Sequence, residues 1–191
     1  MPPTKTKPNF ADNALMLPGT PLNKPATGDS REQQTLVLKG MLSFLMQRAM
    51  SASELLAKAA TGLRRGLDFE FSASYLAEPA GHALALVDLA GLPQDFAYQA
   101  RMVPLQDFAD VADLPYNGER PACYGDFFAA VASSFFIRSW LVSSLMSKDN
   151  QVIGAILLGS RDPHRMERAE AVQILALAGF VAEELEKRFS K

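Results

Sequence analysis

The sequence predicts an α+β fold in which N-terminal and C-terminal helices flank a central antiparallel sheet. Three observations lead to this prediction. Apolar residues recur with helical periodicity at both ends of the chain, and two pairs of apolar segments, each pair joined by a short polar turn, lie between those ends. In addition, every connection in the sheet region is compatible with antiparallel pairing.

The stretch 137–160 carries the strongest strand pattern. It contains two runs rich in Ile, Val and Leu, joined by the polar Lys148-Asp149-Asn150-Gln151. This pattern is typical of an antiparallel hairpin with a short turn. Because apolar side chains occur on both faces of the first strand, we expect the hairpin to be central and covered on both sides.

A second hairpin is predicted earlier in the chain. Residues Phe69–Leu76 alternate, with Phe69, Phe71, Ala73 and Tyr75 on one face and polar residues on the other. Residues Ala77–Gly81 supply a turn, and His82–Leu89 supply the partner strand. Further elements are predicted as strands at Phe96–Val103 and Pro121–Asp126, a helical turn within Asp107–Leu114 and a short helix at Phe127–Phe136.

The first helix is predicted from Arg31 onward. Its apolar stripe consists of Leu38, Leu42 and Leu45, widened by Val37, Met41 and Phe44. Ser51 and Glu54 have the spacing of a capping box, which marks the start of a second helix that ends at Gly66. Its predicted core face consists of Leu55, Leu56, Ala59, Ala60 and Leu63.

The last helix is predicted to begin near Asp162-Pro163, because proline is favoured in the first helical turn. Its predicted buried residues are Ile174, Leu177, Ala178, Val181 and Leu185. The apolar faces of the first and last helices are wider than one sheet face requires. We therefore expect a homodimer that forms through the N-terminal and C-terminal helices.

The composition is that of a globular protein, with 48% hydrophobic and 21% charged residues among 191. A net charge of -2 gives no electrostatic reason to expect nucleic acid or an anionic membrane as partner. No apolar run approaches the roughly 20 residues that a membrane helix requires, so we expect a cytoplasmic protein. The domain organisation is predicted as a flexible arm over residues 1–30 and a single domain over residues 31–191.

The predicted arm is rich in proline and poor in large apolar residues, so it cannot bury enough surface to offset its ordering entropy. An apolar island, Ala14-Leu15-Met16-Leu17, is the exception. Two interpretations stay open for this island. It is either a patch in a loose tail or an element that docks on the domain or on a partner.

No pattern in the sequence indicates catalysis or a metal site. Cys123 is the single cysteine, which excludes an internal disulfide and a cysteine-rich metal site. His82 and His164 are better explained as solvated or capping residues than as haem ligands. HExxH and glycine-rich phosphate loops do not occur. We expect no enzyme activity, and the sequence identifies no cofactor.

The order of elements resembles that of a GAF domain, a sensory relative of the PAS fold. The resemblance is most specific at Ile137-Arg138-Ser139, which leads into a strand, and at Val152–Leu158, VIGAILL, before the terminal helix. It extends from about Leu36 to Arg188. Where the family usually has Val-Pro-Leu, this chain has Ser144-Leu145-Met146.

The resemblance implies a cytoplasmic regulatory module with a sheet of about six strands, a ligand pocket on one sheet face and dimer-forming helices on the other. It places Asp126, Phe127, Arg138 and Trp140 beside that pocket. An aromatic residue with a charged pair suits a small polar or planar ligand. The ligand and the signalling partner stay open, as does whether this is a stand-alone protein or a fragment.

Two kinds of protein in the wider family depend on cysteine, one for catalysis and one for covalent attachment of a chromophore. This sequence fits neither well. A methionine sulfoxide reductase needs a second cysteine to resolve the oxidised first one. Covalent bilin attachment would call for a histidine next to Cys123, where Tyr124 stands. The alternative to a ligand-binding domain is an interaction or scaffold module whose pocket is filled by its own side chains, because the two phenylalanine pairs of 127–136, FFAAVASSFF, could plug it.

Overall fold

A computed structural model describes residues 28–109, 111–116, 130, 133–163, 166 and 168–189. Within these residues the helices are α1 Gly28–Gln47, α2 Ala52–Gly66, α3 Gln94–Gln99, α4 Leu105–Ala109 and α5 Arg168–Phe189. The strands are β1 Phe71–Ala77, β2 Ala83–Ala90, β3 Met102–Pro104, β4 Ser139–Met146 and β5 Val152–Ser160. The predicted α+β class is confirmed.

The strands form an antiparallel sheet of order β3-β2-β1-β5-β4, with β1 at its centre. In the described part of the chain the sheet has five strands rather than about six. At the outer edge of β4, the neighbouring segment makes only two isolated bridges, a parallel one from Ala112 to Val142 and an antiparallel one from Tyr116 to Trp140. Because the two bridges have opposite senses, they do not belong to one regular ladder.

The predicted hairpin at 137–160 is confirmed. Strands β4 and β5 pair from Ser139 opposite Ser160 to Met146 opposite Val152. The polar turn between them closes through the Ser147 amide, which donates to the Gln151 carbonyl at 2.8 Å. Asn150 lies in the left-handed region at φ 58°, a conformation that asparagine tolerates better than most residues. The earlier hairpin, β1 with β2, is also confirmed.

The helix side of the sheet holds the larger core. Helices α2 and α5 pack there against Leu141, Leu145, Ile156 and Leu158 of β4 and β5, and α1 packs on α2 and α5. The small Ser72 and Ser74 of β1 and Ser143 of β4 are also buried. Short side chains at these positions suit close packing of helices on the sheet.

The terminal helices α1 and α5 run parallel to each other. Their first turns are joined by a salt bridge of 3.4 Å between Arg31 and Glu170. Further along, the Gln173 amide donates to the Thr35 hydroxyl at 3.1 Å, and near the end Arg188 donates to the Met46 carbonyl at 3.2 Å. Three side-chain contacts therefore fix α5 against α1 along most of their length.

The second helix follows its prediction. The Ser51 hydroxyl accepts from the Glu54 amide at 3.1 Å, while the Glu54 carboxylate accepts from the Met50 amide at 2.8 Å. This reciprocal pair satisfies two amides at the helix start. All residues predicted for the core faces of α2 and α5 are buried.

Two predictions about the terminal helices are wrong in detail. Val37 and Phe44 are 70% and 54% exposed, because the core face of α1 is the narrower stripe of Leu38, Leu42 and Met46. Helix α5 begins at Arg168 rather than near Asp162-Pro163. Asp162 is a bend, and its backbone carbonyl accepts a 2.6 Å hydrogen bond from the Ser139 hydroxyl, which ties this segment to β4.

The predicted strand at Phe96–Val103 is also wrong. Its first half is helix α3, and only Met102–Pro104 form a strand. Phe96 and Ala100 are buried whereas Tyr98 is 88% exposed, so the apolar spacing is that of a helix turn. Pro93, with extended backbone, stands directly before the helix.

Several predictions lie outside the described residues. They concern the arm up to residue 27, the strand at Pro121–Asp126 and most of the helix at Phe127–Phe136. Helix α1 begins at Gly28, three residues before the predicted domain start at Arg31. None of the helices in the described ranges is both long and apolar enough to cross a membrane.

Candidate functional site

The candidate site lies on the sheet face opposite the three large helices, here called the α3 face. Its floor consists of side chains from three strands, namely Phe71, Ala73 and Tyr75 of β1, Trp140 and Val142 of β4, and Ala155 and Leu157 of β5. The segments that connect the strands cover this floor with buried side chains, namely Phe96 of α3, Phe108 of α4, Val111 and Phe135. The α3 face is therefore an apolar surface covered by connecting segments, and apolar surfaces of this kind line many small-molecule sites.

Tyr75 brings a phenol hydroxyl into this apolar floor. It stands on the central strand between Leu86 of β2 and Ala155 of β5, and only 2% of it is exposed. Its hydroxyl has no hydrogen-bond partner among the residues that the structure describes. Burial raises the pKa of the Tyr75 phenol, so the group is a neutral donor at physiological pH.

Trp140 forms the edge of the α3 face on β4. The Tyr116 ring stacks on its indole, with ring centroids 4.0 Å apart and planes inclined by 25°. The two backbones also exchange hydrogen bonds of 2.9 and 3.0 Å. This stacking and pairing hold the indole in one orientation.

Asp113 anchors the segment that carries Tyr116. Its carboxylate accepts hydrogen bonds from the Ser144 amide, at 2.9 Å, and from the Ser144 hydroxyl. Its own amide donates to the Val142 carbonyl at 2.7 Å. Asp113 adopts φ 62°, a left-handed conformation that aspartate tolerates when its side chain bonds locally. The edge of the α3 face is thus pinned from Asp113 to Tyr116.

The structure describes two of the four predicted site residues, Arg138 and Trp140. Trp140 is buried, at 3% exposure, on the same sheet face as Tyr75. Arg138 is exposed just before β4, and its backbone amide donates to the Ser160 carbonyl at 2.9 Å. Asp126 and Phe127 lie outside the described residues. The assignment of all four to a ligand pocket stays a prediction.

Sequence reasoning did not single out Tyr75 as a site residue. The signal was present, because the alternation over Phe69–Leu76 placed a phenol on the apolar face of a strand. A hydroxyl on such a face must find a partner or carry a desolvation cost. Burial from both sides by β2 and β5, which makes that cost large, is visible only in the sheet order.

An aromatic pair lies in the cover of the α3 face. Phe135 packs edge-on against Phe96, with ring centroids 5.4 Å apart. Its neighbour Phe136 is 69% exposed with φ 55°. Of the two phenylalanines in this pair, one therefore plugs the α3 face and the other points to solvent.

Glu70, Ser160 and Arg161 form a polar cluster beside the start of β1 and the end of β5, and their contacts hold these two strand ends together. Glu70 accepts from the Ser160 hydroxyl at 2.8 Å, from the Arg161 amide at 2.9 Å and from the Arg161 guanidinium at 2.9 Å. Partial burial alone would raise the pKa of Glu70, but these hydrogen bonds outweigh it and lower the pKa. In the described ranges, His, Cys, Asp and Glu form no group that could hold a metal ion.

Comparison with known proteins identifies the fold. No protein-family model matches the chain, and no curated protein matches it. Among solved structures, a GAF sensor protein from Burkholderia vietnamiensis, described as putative, matches with a TM-score of 0.64 and 15% identity over 88% of this chain and 98% of that one. The GAF domain of a phosphoenolpyruvate-protein phosphotransferase from Coxiella burnetii matches with a TM-score of 0.63 and 12% identity, over 83% and 96%.

An enzyme is also among the similar structures. The free methionine-R-sulfoxide reductase of Neisseria meningitidis, solved with its substrate, matches with a TM-score of 0.66 and 18% identity over 86% of this chain and 95% of that one. Identities at this level establish the fold alone. This chain has the GAF-domain fold, as the resemblance implied.

Proposed function

We propose that this chain is a non-enzymatic regulatory domain that binds a small molecule at the α3 face and transmits the bound state through α1 and α5. Domains with this fold occur in a phosphotransferase, in a sensor histidine kinase described as putative and in a methyl-accepting chemotaxis protein, which supports a signalling role. The cytoplasmic location predicted from the sequence stays a prediction.

The buried hydroxyl of Tyr75 carries the ligand proposal. An unpaired hydroxyl in an apolar interior costs about 1–3 kcal/mol, and a ligand with an acceptor oxygen or nitrogen would recover it. The surrounding Phe71, Trp140 and Leu157 favour an apolar or planar body on that ligand. We therefore expect a small, largely planar molecule with a hydrogen-bond acceptor directed at β1.

The sheet offers a direct route from the α3 face to the helices. Side chains alternate across β4 and β5, so Trp140 and Leu157 face the proposed ligand while Leu141 and Leu158 pack under α2 and α5, which in turn contact α1. The turn between these strands also reaches α5, because the Lys148 amide donates to the Glu186 carboxylate at 3.1 Å.

Transmission then works by population shift. A ligand that prefers one packing of α5 by about 1–3 kcal/mol would change the balance between helix arrangements by roughly 5- to 150-fold.

The proposal of no enzyme activity depends on the cysteine count. A reductase of the Neisseria kind would need a resolving cysteine, and this sequence has one cysteine in all. Cys123 itself lies outside the described residues. An assay for loss of free methionine sulfoxide with a thiol reductant tests this point, and turnover that disappears in Cys123→Ser would refute it.

The ligand proposal is tested by thermal shift. Nucleotides, amino acids, 2-oxoacids and tetrapyrroles are screened against the full chain, and a true ligand at 100 times its Kd should stabilise it by about 2.7 kcal/mol. Tyr75→Phe should lower that stabilisation by at least about 1 kcal/mol, the value of the lost hydrogen bond, while Tyr98→Phe, at an 88% exposed position, should preserve it. Shifts within scatter for every compound would argue against a ligand site.

A self-filled interaction module is the second candidate, because Phe135 already packs on Phe96 inside the α3 face. The two candidates differ in their response to Phe135→Ala. If the phenylalanine only plugs a ligand site, the variant should gain affinity for planar compounds. If the plug is structural, the variant should lose about 3–5 kcal/mol of stability and bind nothing.

We also propose the homodimer expected from the helices. Outside the cores, apolar groups stay exposed on α1 at Val37 and Phe44, and near the helix ends at Met50 and Phe189. A methyl group added to Gly40, between them on α1, would meet no atom within 4 Å, so a second helix could approach closely. Light scattering at micromolar concentration should give twice the monomer mass for the wild type. The double variant Val37→Asp, Phe44→Asp should give the monomer mass.

A further inference from the structure

A groove lies between the first halves of α1 and α5, away from the α3 face. Its volume is about 690 Å³, and it is open to solvent along one side. Its apolar lining is Leu36 from α1 and Ala169, Val172 and Ala176 from α5. Leu36 is 72% exposed and Val172 is 60% exposed, so two large side chains here lack cover from the described part of the chain.

The walls of this groove are held in place by contacts beneath it. The salt bridge between Arg31 and Glu170 joins the helices at one end. The hydrogen bond from Gln173 to Thr35 joins them along the floor, and Gln173 is buried. An occupant would therefore find a preformed surface, which lowers the entropic cost of binding.

We infer that the occupant is residues 10–17 of the same chain, FADNALML, which include the apolar island. The argument begins with reach. Leu17 precedes Gly28 by eleven residues, which can span about 36 Å when extended. The groove follows α1 only from Arg31 to Lys39, a rise of about 12 Å. The residues between Leu17 and Gly28 are therefore numerous enough for the segment to fold back onto the groove. They are also few enough to give the segment an effective concentration at the groove of about millimolar order.

The chemistry of the segment matches the groove. Phe10, Ala14 and Leu17 recur at i, i+4 and i+7, so a short helix would present them on one side. Asp12 is the only charged residue between Lys7 and Lys24. The groove is lined by the cations Arg31, Lys39 and Arg168, with Glu32 as the acid of α1. An apolar segment of net charge -1 is thus complementary to an apolar floor with a cationic border.

A second copy of the groove is a poorer occupant. Two grooves related by a two-fold axis would bring the same cationic border against itself, which would set Lys39 and Arg168 of one copy against the cations of the other. The dimer proposed above uses other positions, Val37, Phe44, Met50 and Phe189, and so leaves the groove accessible. The arm would then cover the first turns of the same two helices that carry the output, and this inference stands whether or not a ligand binds the α3 face.

The first test is disulfide trapping in the full chain with Cys123→Ser as background. L17C combined with V172C should form an intramolecular bond under mild oxidation at least tenfold faster than L17C combined with Y98C, whose partner position is exposed on the opposite side of the sheet. Equal rates for the two pairs would overturn the inference. Rapid covalent dimers of V172C alone would also overturn it, in favour of a second copy in the groove.

The second test measures whether the groove is covered, and it does so without forming a disulfide bond. Maleimide labelling of V172C, in the same Cys123→Ser background, should become several-fold faster when Leu15→Asp and Leu17→Asp place charges in the island. Asn9→Asp with Thr20→Asp adds the same two charges outside it and should leave the rate unchanged. An equal effect of both pairs, or no effect of either, would overturn the inference. Mixing separately made L17C and V172C chains should yield no cross-linked product, and a product would instead show arms exchanged between copies.

Discussion

The ring of Tyr116 lies on the indole of Trp140, 4.0 Å between centroids, while their backbones exchange two hydrogen bonds. This pair closes the outer edge of β4, where a regular strand is missing from the described residues. A single contact thus fixes both the edge of the sheet and the orientation of an aromatic residue in the candidate site.

Tyr116→Ala should therefore loosen the α3 face at Trp140. We expect a loss of about 1–3 kcal/mol, the sum of a lost aromatic pair and lost burial. Trp140 is the only tryptophan of the chain, so its emission should shift to the red and acrylamide quenching should increase. Tyr98→Ala, at an 88% exposed position, should change neither quantity. An unchanged spectrum in Tyr116→Ala would contradict the stacking.

Gly91 and Gly81 form a matched pair of turn glycines, with φ 80° and φ 70°. A methyl group at Gly91 would stand 2.1 Å from the Glu70 carbonyl oxygen, whereas one at Gly81 would meet nothing within 4 Å. Gly81→Ala should cost about 1–2 kcal/mol from backbone strain alone. Gly91→Ala should cost a further 1–3 kcal/mol or so, because backbone must move. Urea unfolding of both variants checks the difference, and equal losses would show that the Gly91 turn adapts.

Glu70 should stabilise the fold in a pH-dependent way. Its pKa is lower in the folded state than the ordinary 4.5, so its contribution is present above about pH 4.5 and is lost as the pH falls through the folded pKa. Because its side chain is 41% exposed, we expect solvent screening to limit the contribution to about 0.5–1 kcal/mol.

The measurement is urea unfolding of wild type and Glu70→Gln between pH 3 and pH 7. The gap in stability should be largest at pH 7 and should close at the acid end. Asp149→Asn, which removes an exposed carboxylate in the β4–β5 turn, should show no comparable gap. A gap that persists undiminished at pH 3 would mean that Glu70 acts through packing rather than charge.

The sequence was most informative where one local pattern decides the structure. The β4–β5 hairpin follows from two apolar runs and a polar turn, and α2 follows from its capping box and the core spacing of Leu55 to Leu63. Phe96–Ala100 was misassigned because short apolar runs fit a strand and a helix turn equally well. There the choice depends on tertiary contacts, since Phe96 packs on Phe135, far away in sequence.

The candidate site was less accessible to sequence reasoning, because it is assembled from distant segments. Tyr75 and Trp140 share a face because of the registers in which β5 pairs with β1 on one side and with β4 on the other. Likewise, the apolar stripe of α1 was predicted too wide, since periodicity does not tell which apolar residues a neighbouring helix covers. Val37 and Phe44 satisfy the helical pattern and yet are exposed.

Tyr75→Phe separates a structural role of the phenol from a binding role. Because the hydroxyl has no partner among the described residues, its removal should leave stability at pH 7 unchanged or raise it by about 1 kcal/mol. A loss of more than about 1 kcal/mol would show that the hydroxyl is paired in the protein, and would weaken the ligand proposal.

The same variant has a predicted effect at alkaline pH. The folded-state pKa of Tyr75 is raised above its ordinary value of 10.0, so the neutral phenol stabilises the fold fully below pH 10 and that contribution is lost as the pH rises further. Wild type should therefore lose stability above pH 10 more steeply than Tyr75→Phe. Thermal unfolding from pH 8 to pH 11 measures both slopes, with Tyr98→Phe as the exposed control, which should follow wild type. Parallel curves for wild type and Tyr75→Phe would mean that the phenol ionises as freely in the folded chain as in the unfolded one.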